Sequence, residues 1–175
     1  MSINRLVIYS FFTALNAVLS QISIPISFSH IPMNLSLLSV FLCACFIGVN
    51  GAWSQLVYIL LGVIGVPVFA NFTSGIGHLL GPSGGFIISY PVICIVSGFI
   101  LKKINVSFYK IIIALLIGLI LCYLIGTVWF SYITKTQLKN SIIMCVVPFI
   151  ALDVLKIVLS SYAYIKIKDK VRLYL

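Results

Sequence analysis

Residues 111–134 read IIIALLIGLILCYLIGTVWFSYIT, a run without one Lys, Arg, Asp or Glu. Crossing the hydrocarbon core of a bilayer as a helix takes about 20 consecutive apolar residues, so this run is long enough by itself. Working outward from it, the stretch from Leu6 to Leu101 is free of the same four residue types, several such lengths in succession. Backbone N–H and C=O groups in lipid must be satisfied inside the protein, which leaves helices and closed barrels. Barrel strands alternate in polarity, and these runs do not. The expected fold class is therefore all-α, an integral membrane protein.

Composition excludes the soluble alternatives. Of 175 residues 62% are hydrophobic and 7% are charged, where a soluble domain carries roughly 25% charge. The net charge of +9 comes from 11 basic and 2 acidic residues. On a soluble protein that excess would point to nucleic acid; beside apolar spans the basic residues are flanking topology signals, and the bilayer is the partner instead. The run after Arg5 continues far past a secretory h-region with no clear small-residue cleavage site, so it reads as a retained first span. Cys43, Cys45, Cys94, Cys122 and Cys145 all lie in apolar stretches, and Cys43 and Cys45 point to different faces of a helix. Neither disulfides nor a metal site is expected.

Gly, Pro and polar clusters divide a single membrane domain, residues 1–175, into six spans: about 6–24, 35–50, 52–66, 84–101, 109–132 and 142–165. The second and third are short and are expected to extend into adjoining loops. Six spans put both termini on one side. That side holds Arg5, Lys102, Lys103, Lys110, Lys166, Lys168, Lys170 and Arg172, against Lys135 and Lys139 opposite. Basic residues gather on the cytoplasmic face, so both termini are expected in the cytoplasm. The connections 25–34 and 67–83 then face outward, with His30 in one and His78 in the other. No Cys, Asp or Glu in those loops completes a metal-ligand set.

Asp153 and Lys156 are the charges that stand away from the edge of a span. An ionised group at mid-bilayer costs about 2.5 to 3.5 kcal/mol on insertion scales and persists where it faces the bundle interior or a cavity. Three residues apart on a helix, the two share a face with Cβ atoms roughly 5 to 6 Å apart. Two readings are open: a self-neutralising pair that locks the last helix to its neighbours, or a polar end-wall for a small ligand. Pro148 precedes Asp153 by five residues, which sets the pair one or two turns inside the outer end of its helix, beside the outer loops.

A second constellation is LGVIGVPVFANFTSGIGHLLGPSGGFIISY, Leu61 to Tyr90. Its glycines permit close backbone approach, and Pro67 and Pro82 restrict the loop. Any single glycine reads as a turn; the cluster, with Gly84 and Gly85 beside Phe69, Asn71, Phe72, Phe86 and Tyr90, reads as a binding loop. Ser10 and Ala14, with Ala17 a turn later, form a small-residue stripe suited to a helix partner or to internal packing. Phosphate-binding loops and HExxH motifs are absent. No catalytic residues, cofactor or ATP hydrolysis are expected of this chain, and binding and passage of a solute remains.

IPISFSHIPMN (24–34), LGVIGVPVFANF (61–72), LLGPSGGF (79–86) and PFIALDVLK (148–156) together resemble the BioY family, the biotin-capturing S components of energy-coupling factor (ECF) transporters. The likeness covers nearly the whole chain, in order and spacing. It implies a six-helix bundle of the ECF S-component type that binds biotin near the outer face, under its first and third loops. It implies that Asn71, Asp153 and Lys156 meet the polar groups of biotin, and that Phe28, Phe69, Phe72, Phe86 and Tyr90 cover the ring and tail, with Gly84 and Gly85 in the binding loop. It also implies a membrane coupling protein and two ATPase subunits as partners in a bacterial cytoplasmic membrane, docked through Ser10 and Ala14. The chain departs from the family in lacking any basic residue between Leu6 and Leu101 and in carrying only a degenerate small-residue docking pattern. A lone biotin facilitator without ATPases, and an intramembrane enzyme or assembly factor, are the alternatives.

Overall fold

The computed structural model describes residues 3–24, 31–103 and 107–171. Phe28 and His30 lie outside the described residues. Most of the two uncharged runs is helical, and one helix continues through Pro91. In chain order the helices are α1 (Ile3–Gln21), α2 (Ser36–Phe46), α3 (Gly51–Val63), α4 (Ile76–Leu79), α5 (Gly84–Lys103), α6 (Phe108–Thr134), α7 (Leu138–Cys145) and α8 (Ile150–Val171). A 3-10 turn at Gly48–Asn50 joins α2 to α3, which is the tight connection expected there.

Two features refine the sequence-based expectation. Two short segments on either side of the connection after α1 pair as a two-residue antiparallel ladder, β1 (Ser23–Ile24) with β2 (Met33–Asn34), in the register Ser23 to Asn34 and Ile24 to Met33. The last span, expected as one helix over 142–165, is broken: α7 and α8 meet at 52°. Pro148 explains the break, since it has no N–H to donate and its ring clashes with the carbonyl four residues earlier. Asp153 consequently lies in the first turn of α8.

By length and composition α5 and α6 qualify as membrane crossings, and α7 with α8 makes a third if the bent pair is one span. The 11 residues of α2 and 13 of α3 rise only about 17 and 20 Å, short of a hydrocarbon core of about 30 Å. On α6 the exposed side chains Ile113, Ile117, Ile120, Leu124 and Val128 recur every three or four residues. Such a stripe would be an aggregation hazard in water; in hydrocarbon it is the solvent-matched face.

Inside, the helices are fastened by small and polar residues. Ser97 of α5 donates to the Ala114 carbonyl of α6 at 3.0 Å, and a Cβ on Gly118 would stand 2.4 Å from the Ser97 hydroxyl oxygen. Between α1 and α3, Thr13 donates to the Ser54 carbonyl at 2.9 Å and Asn16 to Gln55 at 2.7 Å. Interhelical bonds of this kind contribute about 0.6 kcal/mol each on average in membrane proteins; they set helix register more than stability. Ser10 and Ala14 of α1 point away from this interior and are exposed.

Candidate ligand site

A cavity opens where residues 31–34 and the 67–83 loop meet α2, α3, α5, α6 and α8. Its polar end is built from three elements. Asp153 and Lys156 stand on one face of α8, 1% and 5% exposed, with the Lys156 Nζ 2.7 Å from the Asp153 Oδ1. Tyr123 of α6 donates its hydroxyl to the other carboxylate oxygen at 2.7 Å. Lys156 donates again, at 2.7 Å, to the main-chain carbonyl of Asn34 at the end of β2. Each charge is thus paired and further hydrogen-bonded, the condition under which a buried ion pair persists.

The apolar walls come from Tyr58, Phe86, Ile87, Tyr90 and Phe149. Tyr58 and Tyr90 lie with ring centroids 6.3 Å apart, and the Tyr58 hydroxyl is spent on the Val68 carbonyl at 3.1 Å. In this conformation the free space is about 60 Å³, enough for a few water molecules at about 15 Å³ each.

The third wall is the loop 67–83. Gly65 and Gly75 take φ of +106° and +91°, the region where a Cβ is strained. Phe69 is fully buried, and its ring fills the space above Gly62, where a Cβ would stand 2.1 Å from the ring tip. His78 stacks on the other side of Phe69, with centroids 5.2 Å apart and planes 19° apart. Its Nδ1 is 3.1 Å from the Thr73 Oγ1 and its Nε2 3.3 Å from the Ser83 Oγ. His78 and Ser83 both line the cavity.

Of the residues picked out from sequence, Asp153, Lys156, Phe86 and Tyr90 line the cavity together. Phe69 supports it from behind. Asn71 and Phe72 do not line it: both are exposed in left-handed backbone conformations, φ 58° and 57°, and the Asn71 Oδ1 accepts from the Ser23 hydroxyl. Gly84 and Gly85 serve close packing, since a Cβ on Gly85 would stand 2.3 Å from the Trp129 Cβ. Tyr58, Tyr123, His78, Ser83 and the Asn34 carbonyl join the site without having been singled out for it. Tyr123 had one legible signal, its place next to Cys122 on the Gly118–Cys122–Gly126 face that α6 buries.

Gly81 to Gly85 also spells Gly-x-Ser-x-Gly, which in hydrolases marks a nucleophile on a strand-to-helix turn. Here α4 precedes it instead of a strand, and the histidine beside Ser83 is oriented by Thr73 where a hydrolase uses a carboxylate.

A helical membrane protein with a paired carboxylate and ammonium closing one end of an aromatic cavity belongs to the class of solute-binding membrane proteins. The model of the BioY family matches residues 1–173, and the chain belongs to that family. It is 36% identical over 146 residues to a probable biotin transporter BioY of Pyrococcus horikoshii, covering 83% of this chain and 84% of that protein. To the biotin transporter BioY of Thermotoga maritima it is 32% identical over 158 residues, covering 90% and 91%. Its fold superposes on a crystal structure of the S-component for biotin from an ECF-type ABC transporter with a TM-score of 0.90 and 28% identity, covering 97% of this chain and 95% of that one.

Proposed function

We propose that this chain captures biotin at the outer face of a cytoplasmic membrane and delivers it inward as the substrate-binding subunit of an ECF-type transporter. The observation that carries this is the buried set of Asp153, Lys156, Tyr123 and the Asn34 carbonyl at the end of an aromatic cavity, in a chain of the BioY family. Biotin offers a ureido ring, an apolar fused ring and chain, and a carboxylate. A carboxylate, an ammonium and a phenol cover the hydrogen-bonding needs of its polar groups, while Phe86, Tyr90 and Tyr58 suit its hydrocarbon. Asn71 and Phe72, one and two residues beyond the cavity-lining Ala70, close over the ligand from the rim.

The chain crosses the membrane six times, α7 and α8 forming one broken crossing, with both termini in the cytoplasm; the eight-to-two division of basic residues supports this. ATP hydrolysis and coupling come from partners, a membrane coupling protein and two ATPase subunits. The exposed Ser10–Ala14 stripe of α1 is the docking face, because small side chains let a helix approach closely.

The direct test is to purify the protein in detergent and titrate biotin by calorimetry after removing any that co-purifies. Saturable one-site binding is expected. Absence of binding in a folded preparation overturns the proposal.

A further inference from the structure

Resting on the biotin reading above, we infer that His78 and Ser83 form the second polar pole of the site, which takes the ligand's carboxylate, and that Asp153 and Lys156 take its ureido ring.

The division follows from charge. Asp153 and Lys156 neutralise each other at 2.7 Å, both buried. A ligand carboxylate brought to Lys156 would leave two anions against one cation in a region of low dielectric, where an uncompensated charge is costly. The ureido ring suits the same pair at no cost in charge, with N–H donated to Asp153 and C=O accepting from Lys156. The carboxylate therefore needs a partner elsewhere in the cavity. Among the described residues the other titratable side chains lining it are Tyr58 from α3, Tyr90 from α5, Cys122 and Tyr123 from α6, and Cys145 from α7, none of which becomes a cation. His78, on α4 between α3 and α5, does.

Its orientation is fixed by a chain of hydrogen bonds. Thr73 Oγ1 donates its one proton to the Ala70 carbonyl at 2.8 Å, so it accepts from His78, at 3.1 Å. His78 Nδ1 thus carries the proton, and Nε2 is the nitrogen left to gain one. Among the described residues Nε2 meets the Ser83 hydroxyl, at 3.3 Å, beyond the usual range of about 2.7 to 3.2 Å and open to displacement. Stacking on Phe69 holds the ring while Nε2 changes partner. Burial holds the free imidazole below its ordinary value, so the empty site carries a neutral ring at neutral pH. A bound carboxylate favours the charged ring. Nε2 then takes a proton from solvent and donates it to one carboxylate oxygen while the Ser83 hydroxyl donates to the other. A group whose pKa rises on binding takes up a proton, so affinity for the carboxylate form increases as pH falls through the bound-state pKa toward the free-state one.

The test compares biotin with biotin amide, which keeps the ureido ring and has no charge, on the full-length protein in detergent at pH 8 and pH 6. Wild type is expected to favour biotin over the amide by about tenfold or more at pH 6, the scale of one hydrogen bond to a charged group, and by less at pH 8. His78→Gln cannot take the proton and His78→Phe keeps the stack on Phe69; whatever their affinity for the amide, both are expected to lose the preference for biotin over the amide and its pH dependence. An unchanged preference in both variants, or a wild-type preference that does not vary with pH, overturns the inference while biotin binding stands. Failure of wild type to bind either compound instead overturns the biotin reading and this inference with it.

Discussion

The Lys156 ammonium donates to the main-chain carbonyl of Asn34 at 2.7 Å, joining residues 122 positions apart. The bond ties the first turns of α8 to the end of the β1–β2 clip. An ammonium has three N–H donors; the Asn34 carbonyl and Asp153 take two of them, which leaves the third for a further acceptor.

Asp153→Asn and Lys156→Met are each expected to weaken biotin binding tenfold or more, because removing one partner of a buried hydrogen bond costs about 1 to 3 kcal/mol and more where charge is involved. Each single change also leaves the opposite charge unpaired and lowers the melting temperature. Combining them removes both charges and is expected to recover much of the stability but not the affinity. Titration of the folded double variant decides the point: wild-type affinity there would make the pair purely structural.

Tyr123→Phe removes the phenol that donates to Asp153 at 2.7 Å and keeps the ring. With one carboxylate oxygen left without its donor, the carboxylate is free to turn from the cavity, and biotin affinity is expected to fall roughly three- to tenfold. Calorimetry on the folded fraction separates this from a packing effect. Lower melting temperature with unchanged affinity would show that Tyr123 does not orient the carboxylate.

Gly62→Ala is expected to damage the site from behind. The added methyl would stand 2.1 Å from the tip of the Phe69 ring, and Phe69 is fully enclosed, packed on Tyr58 at 5.7 Å and His78 at 5.2 Å between centroids. Overpacking of this kind costs about 1 to 3 kcal/mol, visible as a lower melting temperature, and biotin binding weakens as His78 shifts. Adding Phe69→Leu should restore stability without restoring affinity. A melting temperature equal to wild type in Gly62→Ala would mean that Phe69 does not hold the loop.

Sequence made the helices and the charged pole legible because each rests on a local and extreme signal: uncharged runs such as 111–134, and two ions three residues apart inside an apolar stretch. Pro148 was visible too, but whether a proline bends a span or ends it depends on the packing of the residues around it, and α7 and α8 emerge as separate helices. The opposite wall was not legible. His78 and Ser83 are ordinary polar residues in a glycine-rich loop, and they become a site through the stack on Phe69 and the chain through Thr73 to Ala70, which only three-dimensional packing specifies. Asn34 contributes a main-chain carbonyl, a group that every residue has. Aromatic type alone did not separate Phe86, on the cavity wall, from Phe72, which is 71% exposed.

The proposed topology makes a prediction about reactivity from the two sides of the membrane. Lys103, at the end of α5, and Lys139, in α7, are both exposed, so a cysteine at either position is limited by side and not by burial. The native cysteines Cys43, Cys45, Cys94, Cys122 and Cys145 are free and buried, which keeps the background low. With both termini in the cytoplasm, Lys103→Cys faces inward, grouped with Lys102 and Lys110, and Lys139→Cys faces outward. An impermeant thiol reagent added to intact cells is expected to label Lys139→Cys and spare Lys103→Cys, and to label both after the membrane is permeabilised. The reverse pattern would invert the protein in the membrane and place the Asp153–Lys156 cavity on the cytoplasmic side, where capture of an external vitamin is not possible.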